Sequence, residues 1–572
     1  MIFESLVEYY DRLERKGAVP PFGFSIEDIG FAITLSRDGD IVGEPIDLRK
    51  RTEMKGYEYK QSVVPYTNKV NARSSNAANV PNFMVDKADY VFGMSGNTKK
   101  EAYHEAFKKL VYEVCGSSGD EGVLAVKRFL EKWKSAESPR LPFWKDISGT
   151  NAKWVAFKLE GENRFIHERP EVKRLWAEYL KRETYKKGYS FVEGDYLPLQ
   201  TQYAQFKFGS GASLVSFNRP AYESYGKNRG ENAPISVMAE FKSATALKHL
   251  LRSRKQRITI GGTTTLFWTQ RDSPMESFMG HILNPHQEGP DNARLEKFLD
   301  AAKKGHMPRE PSFDGDVKFY ILGFSVNEGR LAVRYWLACS VARLMERIGR
   351  HFMDLEVERH SEGDIPYPGI WHLLRLTARD AKDIPPLLGG ALLRSILEGV
   401  KYPMNLYHGV LNRIKAEQSK RDTNNVNYLR ASVLKAVLKR NFNMEVPMSL
   451  DANNRDTGYL LGRLFAVLEK AQRDALGENI NATIKDRFYG SASTTPASVL
   501  PGLIRLAGHH IQKAKYGAVS ERRIEEIMEH LDHFPTHLTI QQQGMFHIGY
   551  YHQRNEFYRK QKPEQVKEDS NE

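Results

Sequence analysis

Cysteine is nearly absent. The 572 residues hold two, Cys115 and Cys339, too few and too far apart to build a zinc or iron–sulfur cluster on their own. Each lies in a helical pattern, which suggests buried thiols in a reducing compartment. Long apolar runs are missing too: nowhere do about 18 consecutive apolar residues occur, so no membrane-spanning helix is expected. Glu4, Glu8 and Asp11 interrupt the first turns, where a secretory signal would be apolar. The sequence has no Gly-x4-Gly-Lys-Ser/Thr loop for a nucleoside triphosphate and no Gly-x-Ser-x-Gly nucleophile elbow. Together these absences lead to a cytoplasmic, soluble chain without membrane contact, metal or cofactor.

Positive charge is abundant instead. Lys and Arg number 84 against 71 Asp and Glu, a formal charge of +13, and an excess of that size points to a polyanionic partner, nucleic acid before membrane surface. One stretch gathers the side chains such a partner needs. Between Lys69 and Asp86 no helical or alternating apolar period appears until Phe83, so the segment reads as a loop. It carries two cations (Lys69, Arg73), two hydroxyls (Ser74, Ser75) and four amides (Asn71, Asn76, Asn79, Asn82). Arg, Lys and Ser hold phosphates, Arg reads guanine edges and Asn reads adenine edges. The same composition also suits a surface loop whose Asn and Ser turn back on their own backbone.

The periodicity predicts an α+β chain, a mixed N-terminal α/β region followed by a mainly helical part ending in a small C-terminal helical bundle, with divisions at 1–195, 196–326, 327–446 and 447–572. In the first region a helix is expected over 2–16, a hairpin over 30–42, helices over 97–114, 121–134 and 170–187, and a strand over 153–159. Ala102, Ala106, Leu110 and Val114 form the expected inner stripe of the second helix. Further on come a helix over 236–252, a strand over 258–268, loops with one helix over 270–315, and a strand over 317–324. A long helix is then expected, with Val333, Leu337, Val341, Leu344, Ile348 and Phe352 inward and Arg330, Arg334, Arg343 and Arg347 off that stripe. After Pro447 four amphipathic helices are expected, the second opened by Thr495-Pro496, the third capped by Ser520 and the fourth preceded by Thr539. Their outer faces are expected to carry Arg463, Lys485, Arg487, Arg505, Lys513, Lys515, Arg522, Arg523 and Arg554.

Two more segments offer cations in fixed settings. Ser224-Tyr-Gly-Lys-Asn-Arg-Gly230 puts Lys227 and Arg229 beside Tyr225, which suits phosphate contact with stacking on the ring, or equally a plain Gly-bounded turn. Arg252, Arg254, Lys255 and Arg257 form the densest cationic cluster, set between a predicted helix and a predicted strand and suited to phosphate. Catalytic signals are weak by comparison. Asp314-Gly-Asp316-Val-Lys318 matches the acidic-x-Lys end of a metal-dependent nuclease sheet, but no converging acidic partner is evident and Asp-Gly turns before strands are common. His530, His533 and His537 have ligand-like spacing that Pro535 breaks. No catalytic residue is assigned.

A set of short motifs spans nearly the whole chain: the Leu6–Tyr10 helix before Val19-Pro20-Pro21, Arg73-Ser74-Ser75 running into Pro81-Asn82-Phe83, Ser216-Phe217-Asn218, Ser224-Tyr225-Gly226 with Glu231-Asn232-Ala233-Pro234, Phe267-Trp268, Leu322-Gly323-Phe324-Ser325-Val326-Asn327 with Arg330, and Tyr459-Leu460-Leu461-Gly462-Arg463-Leu464. In order and spacing they resemble the large-subunit family of the type I-C CRISPR surveillance complex (Cascade). The resemblance implies a non-catalytic subunit that recognises the short motif (PAM) beside the target on double-stranded DNA, helps unwind it, holds the displaced single strand during R-loop formation and recruits a helicase-nuclease. Its implied partners are the guide-RNA (crRNA) assembly's backbone subunits, crRNA-end-binding subunit and small subunits. It places motif reading on Lys69, Asn71, Arg73, Ser74, Ser75 and Asn76, and displaced-strand phosphate on Lys227, Arg229, Arg252, Arg254, Lys255 and Arg257. In that family the C-terminal region is also translated separately as the small subunit, here from Met448 or else Met444. The rival classes are a nuclease using Asp316 and Lys318, which metal-dependent DNA cutting abolished by Asp316→Ala would identify, and a general RNA-binding scaffold indifferent to duplex DNA.

Overall fold

The amino-terminal helix α1 (Ile2–Arg15) leads into a twelve-residue strand, β1 (Phe24–Leu35), around which the first half of the chain is built. Strand β2 (Ile46–Asp47) pairs antiparallel with β1 at Phe31 and Ala32, and β3 (Lys60–Pro65) does so along Phe24–Ile29. Helices α2 (Thr98–Cys115) and α3 (Glu121–Lys132) carry the chain to β4 (Trp154–Leu159), which lies parallel to β1. Helices α4 (Pro170–Lys181) and α5 (Val237–Arg252) follow. Both faces of β1 are covered, as a strand with a parallel neighbour requires. Phe31, Ile33 and Leu35 join a core with Phe107, Phe129 and Phe157, while Ile29 and Ala32 join another with Val64, Trp154 and Phe165.

This computed structural model describes residues 1–53, 56–66, 80–206, 211–217, 219–283, 292–306, 314–327, 329–361, 363–418, 425–477 and 482–558. The chain divides into two units, one of Met1–Ser253 with Val326–Ala332 and one of Arg254–Ser325 with Val333–Glu572. A second sheet has the strands β5 (Arg257–Ile260), β6 (Thr263–Thr269), β7 (Lys318–Asn327) and β8 (Arg330–Ser340), in the order β8-β7-β6-β5, and apart from Val326–Ala332 these residues belong to the second unit. Helices α6 (Met275–Leu283) and α7 (Asn292–Lys303) interrupt the sheet in sequence. After α8 (Val341–Leu355) the unit is helical: α9 (Leu388–Glu398), α10 (Met404–Ala416), α11 (Tyr428–Phe442), α12 (Thr457–Leu476), α13 (Ile484–Ala492), α14 (Pro496–Lys513), α15 (Gly517–Met528) and α16 (Ile540–Phe557). One continuous core runs from Ile260 to Tyr551, so residues after Pro447 share it with those before. The fold is α+β, with an N-terminal α/β region and a mainly helical C-terminal part. No helix of the described residues is long and apolar enough to cross a membrane.

Several elements differ from their sequence pattern. The expected long helix from 330 is β8 followed by α8: β8 is hydrogen-bonded to β7 at the edge of the sheet, and Ser340 caps α8 by accepting from the Arg343 N–H. The strand expected over 258–268 is a hairpin turned at Gly261-Gly262, where Gly261 has φ +59 and a Cβ would lie 2.4 Å from the Pro386 oxygen. On α2 the buried side chains are His104, Phe107, Val111, Val114 and Cys115; Ala102, Ala106 and Leu110 are not among them. The described residues of 270–315 contribute two helices instead of one. The C-terminal part has five helices among its described residues, and Ser520 is buried inside α15 instead of capping it.

Candidate nucleic-acid interface

The six residues assigned to motif reading, Lys69, Asn71, Arg73, Ser74, Ser75 and Asn76, lie outside the described residues. The two ends of their segment do not. On the entering side β3 ends at Pro65, and the Tyr66 N–H donates to the Gly23 oxygen at 2.8 Å. On the leaving side Asn82 is fully buried. Its side-chain NH2 donates to the Pro65 oxygen at 2.5 Å and to the Val85 oxygen at 3.2 Å, and its backbone N–H donates to Asp86 Oδ2 at 2.6 Å. Phe83 stacks on Trp176 with centroids 5.4 Å apart. Asn82 therefore closes the base of the segment and is not one of its outward amides, contrary to the composition reading. A buried amide with these bonds is expensive to unmake, which fixes where the segment leaves the sheet.

A second loop, 222–232, is exposed and rigidly held. Tyr225 is 98% exposed, and its φ of 55 is unusual for a bulky residue. Arg229 is strained likewise, with φ 45. The loop is fixed from inside by Asn232, whose Oδ1 accepts from the Ser224 N–H at 2.9 Å while its NH2 donates to the Lys227 and Arg229 oxygens at 2.9 and 3.0 Å. The Arg229 N–H donates to Glu223 Oε1 at 3.0 Å and the Asn228 N–H to Glu231 Oε2 at 3.1 Å. Lys186 donates to Glu231, and together with the Asn228 N–H it holds that carboxyl below the usual range. The Arg330 guanidinium lies 4.0 Å from the Tyr222 ring centroid. Tyr225, Lys227 and Arg229 are all exposed on this frame.

The cluster at 252–257 is split between the two units. Arg252 ends α5 and donates from Nη2 to the Ile26 oxygen at 3.1 Å. Arg254, Lys255 and Arg257 belong to the second unit, exposed at the entry to β5. Over this arrangement, residues 6–558 match the family described as CRISPR-associated protein (Cas_Csd1). The chain belongs to that family. No curated protein matches it.

The remaining sequence candidates in this Cas_Csd1 member resolve individually. Asp314 accepts the Asp316 N–H at 3.0 Å in a turn and pairs with Arg271 at 3.1 Å; Asp316 and Lys318 are exposed. Among the described residues no three His, Cys, Asp or Glu gather as a metal site. Of the nine cations expected on the C-terminal surface, Arg463 and Lys485 are buried and Arg554 is half-buried. Arg463 donates to Gln553 Oε1 at 3.1 Å, Lys485 is buried, and Arg554 bonds the Tyr550 hydroxyl at 2.8 Å. Helical periodicity cannot tell an outer face from a polar position inside a packed bundle, where Arg463 and Lys485 lie. Arg487, Arg505, Lys513, Lys515 and Arg522 are exposed, and Arg523 partly so. The anchoring roles of Asn82 and Asn232 were not read from the sequence; an Asn beside Pro81 and another after the Gly230 turn were the available signals.

Proposed function

We propose that this chain is the non-catalytic large subunit of a type I-C CRISPR surveillance complex. It recognises a short motif on double-stranded DNA beside the target, helps open the duplex, holds the displaced strand and recruits the helicase-nuclease. Guide pairing reads the target sequence in such assemblies, while protein reads the adjacent motif. The observation that carries the reading is the loop 222–232, which presents Tyr225, Lys227 and Arg229 on a fixed frame at the surface. An aromatic face beside cations suits single-stranded nucleic acid of any sequence. The anchored base of segment 67–79 and the family match support the motif-reading part, carried by Lys69, Asn71, Arg73, Ser74, Ser75 and Asn76. Arg252, Arg254, Lys255 and Arg257 add phosphate contacts, and the region from Met448 supplies the separately translated small subunit.

The test is the salt dependence of single-stranded DNA binding by the parent and by Lys227→Ala/Arg229→Ala. Each lost phosphate contact reduces the slope of log affinity against log salt by about 0.7 for a single strand. The double variant is expected to lose about 1.4 of slope for every sequence tested; an unchanged slope removes these residues from the interface.

A further inference from the structure

Within the first unit a cleft of about 390 Å³ opens between α5, the start of β1 and Tyr66. One face of α5 lines it, with Phe241, Thr245, Lys248 and Arg252 recurring at helical spacing. Val19, Pro20 and Phe24 supply an apolar wall, and Ser25 and Gln61 add neutral polar groups. The volume lies in the range of about 300–1,000 Å³ that holds a small organic ligand.

Lys248 is the unusual member. Its ammonium stands 4.8 Å from the Tyr66 ring centroid, and among the described residues it makes no hydrogen bond or ion pair. An ammonium has three donors, and this one lines a cleft open to an incoming anion. Burial holds its pKa below the usual lysine range; Glu27 and Glu240 are close enough to pull it up, and Arg252 pushes it down. Glu27 is itself engaged, accepting from Ser25 Oγ at 2.9 Å. Glu240 accepts the Ala204 N–H at 2.6 Å. An incoming phosphate would give Lys248 the acceptor it lacks, with Arg252 as a second cation on the same helix face. Tyr66 directly precedes the segment assigned to motif reading, so the cleft lies at that segment's foot.

The geometry points to a nucleotide pocket: the cleft takes one unstacked deoxynucleotide of the bound DNA, phosphate on Lys248 and Arg252 and base against the wall of Phe24 and Phe241. This rests on the DNA-binding reading above. A duplex that is being opened beside the protein has bases free to leave the stack, and capturing one would oppose reannealing.

Two measurements on the full chain separate the possibilities. Duplexes carrying 2-aminopurine at successive positions beside the motif report unstacking as a several-fold rise in fluorescence, and calorimetry with deoxyadenosine monophosphate reports the pocket alone. The parent is expected to give the rise at one position and to bind the mononucleotide. Lys248→Met is expected to lose both, with affinity for the mononucleotide falling about tenfold or more, the effect of one charged hydrogen bond. Lys248→Arg is expected to retain both, which also controls for folding. If duplex binding persists while Lys248→Met gives the parent's fluorescence and mononucleotide affinity, the pocket assignment is overturned and the DNA-binding reading stands. If no duplex binds but the mononucleotide does so through Lys248, the pocket is upheld as a site for free nucleotide, and the DNA-binding reading falls with the capture step.

Discussion

Tyr225 combines two costs. Its ring is exposed to water, and its left-handed backbone is disfavoured by about 1–2 kcal/mol relative to a residue in the ordinary region. Asn232, Glu223 and Glu231 hold it there with five backbone-directed hydrogen bonds between them. Strain of this kind persists where surroundings over-determine it, and it concentrates at sites that bind. Tyr225→Gly separates the two effects. Glycine tolerates φ 55, so chemical denaturation is expected to show no loss of stability and a gain of up to about 1 kcal/mol. Affinity for single-stranded DNA is expected to fall by about 1–3 kcal/mol, the worth of one stacked base. Undiminished affinity in this variant would make the exposed ring incidental.

At the scale of elements, α12 and α16 of the second unit pack backbone against backbone. A Cβ at Gly462 would lie 1.9 Å from the Phe546 oxygen, and one at Gly549 would lie 2.2 Å from the Tyr459 oxygen. Gly462→Ala is therefore expected to lower stability by about 1–3 kcal/mol, read as a drop in thermal midpoint, because the helices must separate. An unchanged midpoint would contradict the close contact. The same core buries histidines as neutral acceptors or donors beside tyrosines: Tyr489 with His547 at 2.8 Å, Tyr459 with His552 at 3.0 Å, and Tyr402 with His351 at 2.7 Å. Burial pushes all three imidazoles down to about 3. Unfolded, they titrate near 6.5, so between about pH 6.5 and 3 the unfolded chain binds more protons. Their contribution is complete above that window and is lost as pH falls through it. The urea midpoint is expected to be lower at pH 4.5 than at pH 7.5, and His547→Phe is expected to flatten that difference; equal midpoints for the parent would refute the assignment.

What the sequence disclosed at this scale depended on one pattern excluding another. Helices α1, α3 and α5 were legible because their apolar spacing and their stops agree. The stretch from Arg330 was not, because Val333, Leu337 and Val341 satisfy a helical period across what is a strand and then a helix. Tyr335 and Trp336 were the contrary signal: Tyr335 lies against Gly323, where a Cβ would meet its ring at 2.2 Å, and Trp336 stacks on Tyr320. The candidate surface was legible where charge stands next to glycine, at Lys227 and Arg229. Lys248 was not, since one lysine on an amphipathic helix carries no mark of the cleft that α5 forms with residues far away in sequence.

For the whole molecule, the surplus of 13 positive charges favours encounter with nucleic acid without selecting a sequence. Selection has to come from groups that meet base edges, whereas the proposal gives the exposed cations at 227, 229 and 252–257 to phosphate. In the proposal, reading belongs to the segment whose base Pro65 and Asn82 close. The proposed function divides this work, one segment reading paired bases while the cationic loops hold backbone. The most direct test is the affinity of the guide-loaded assembly for matched duplexes that carry or lack the adjacent motif, measured with the parent, Asn71→Ala and Asn76→Ala. Each substitution is expected to cost about 1–3 kcal/mol on the motif-bearing duplex and to shrink the preference for it. Variants that discriminate between the two duplexes as sharply as the parent would contradict the account.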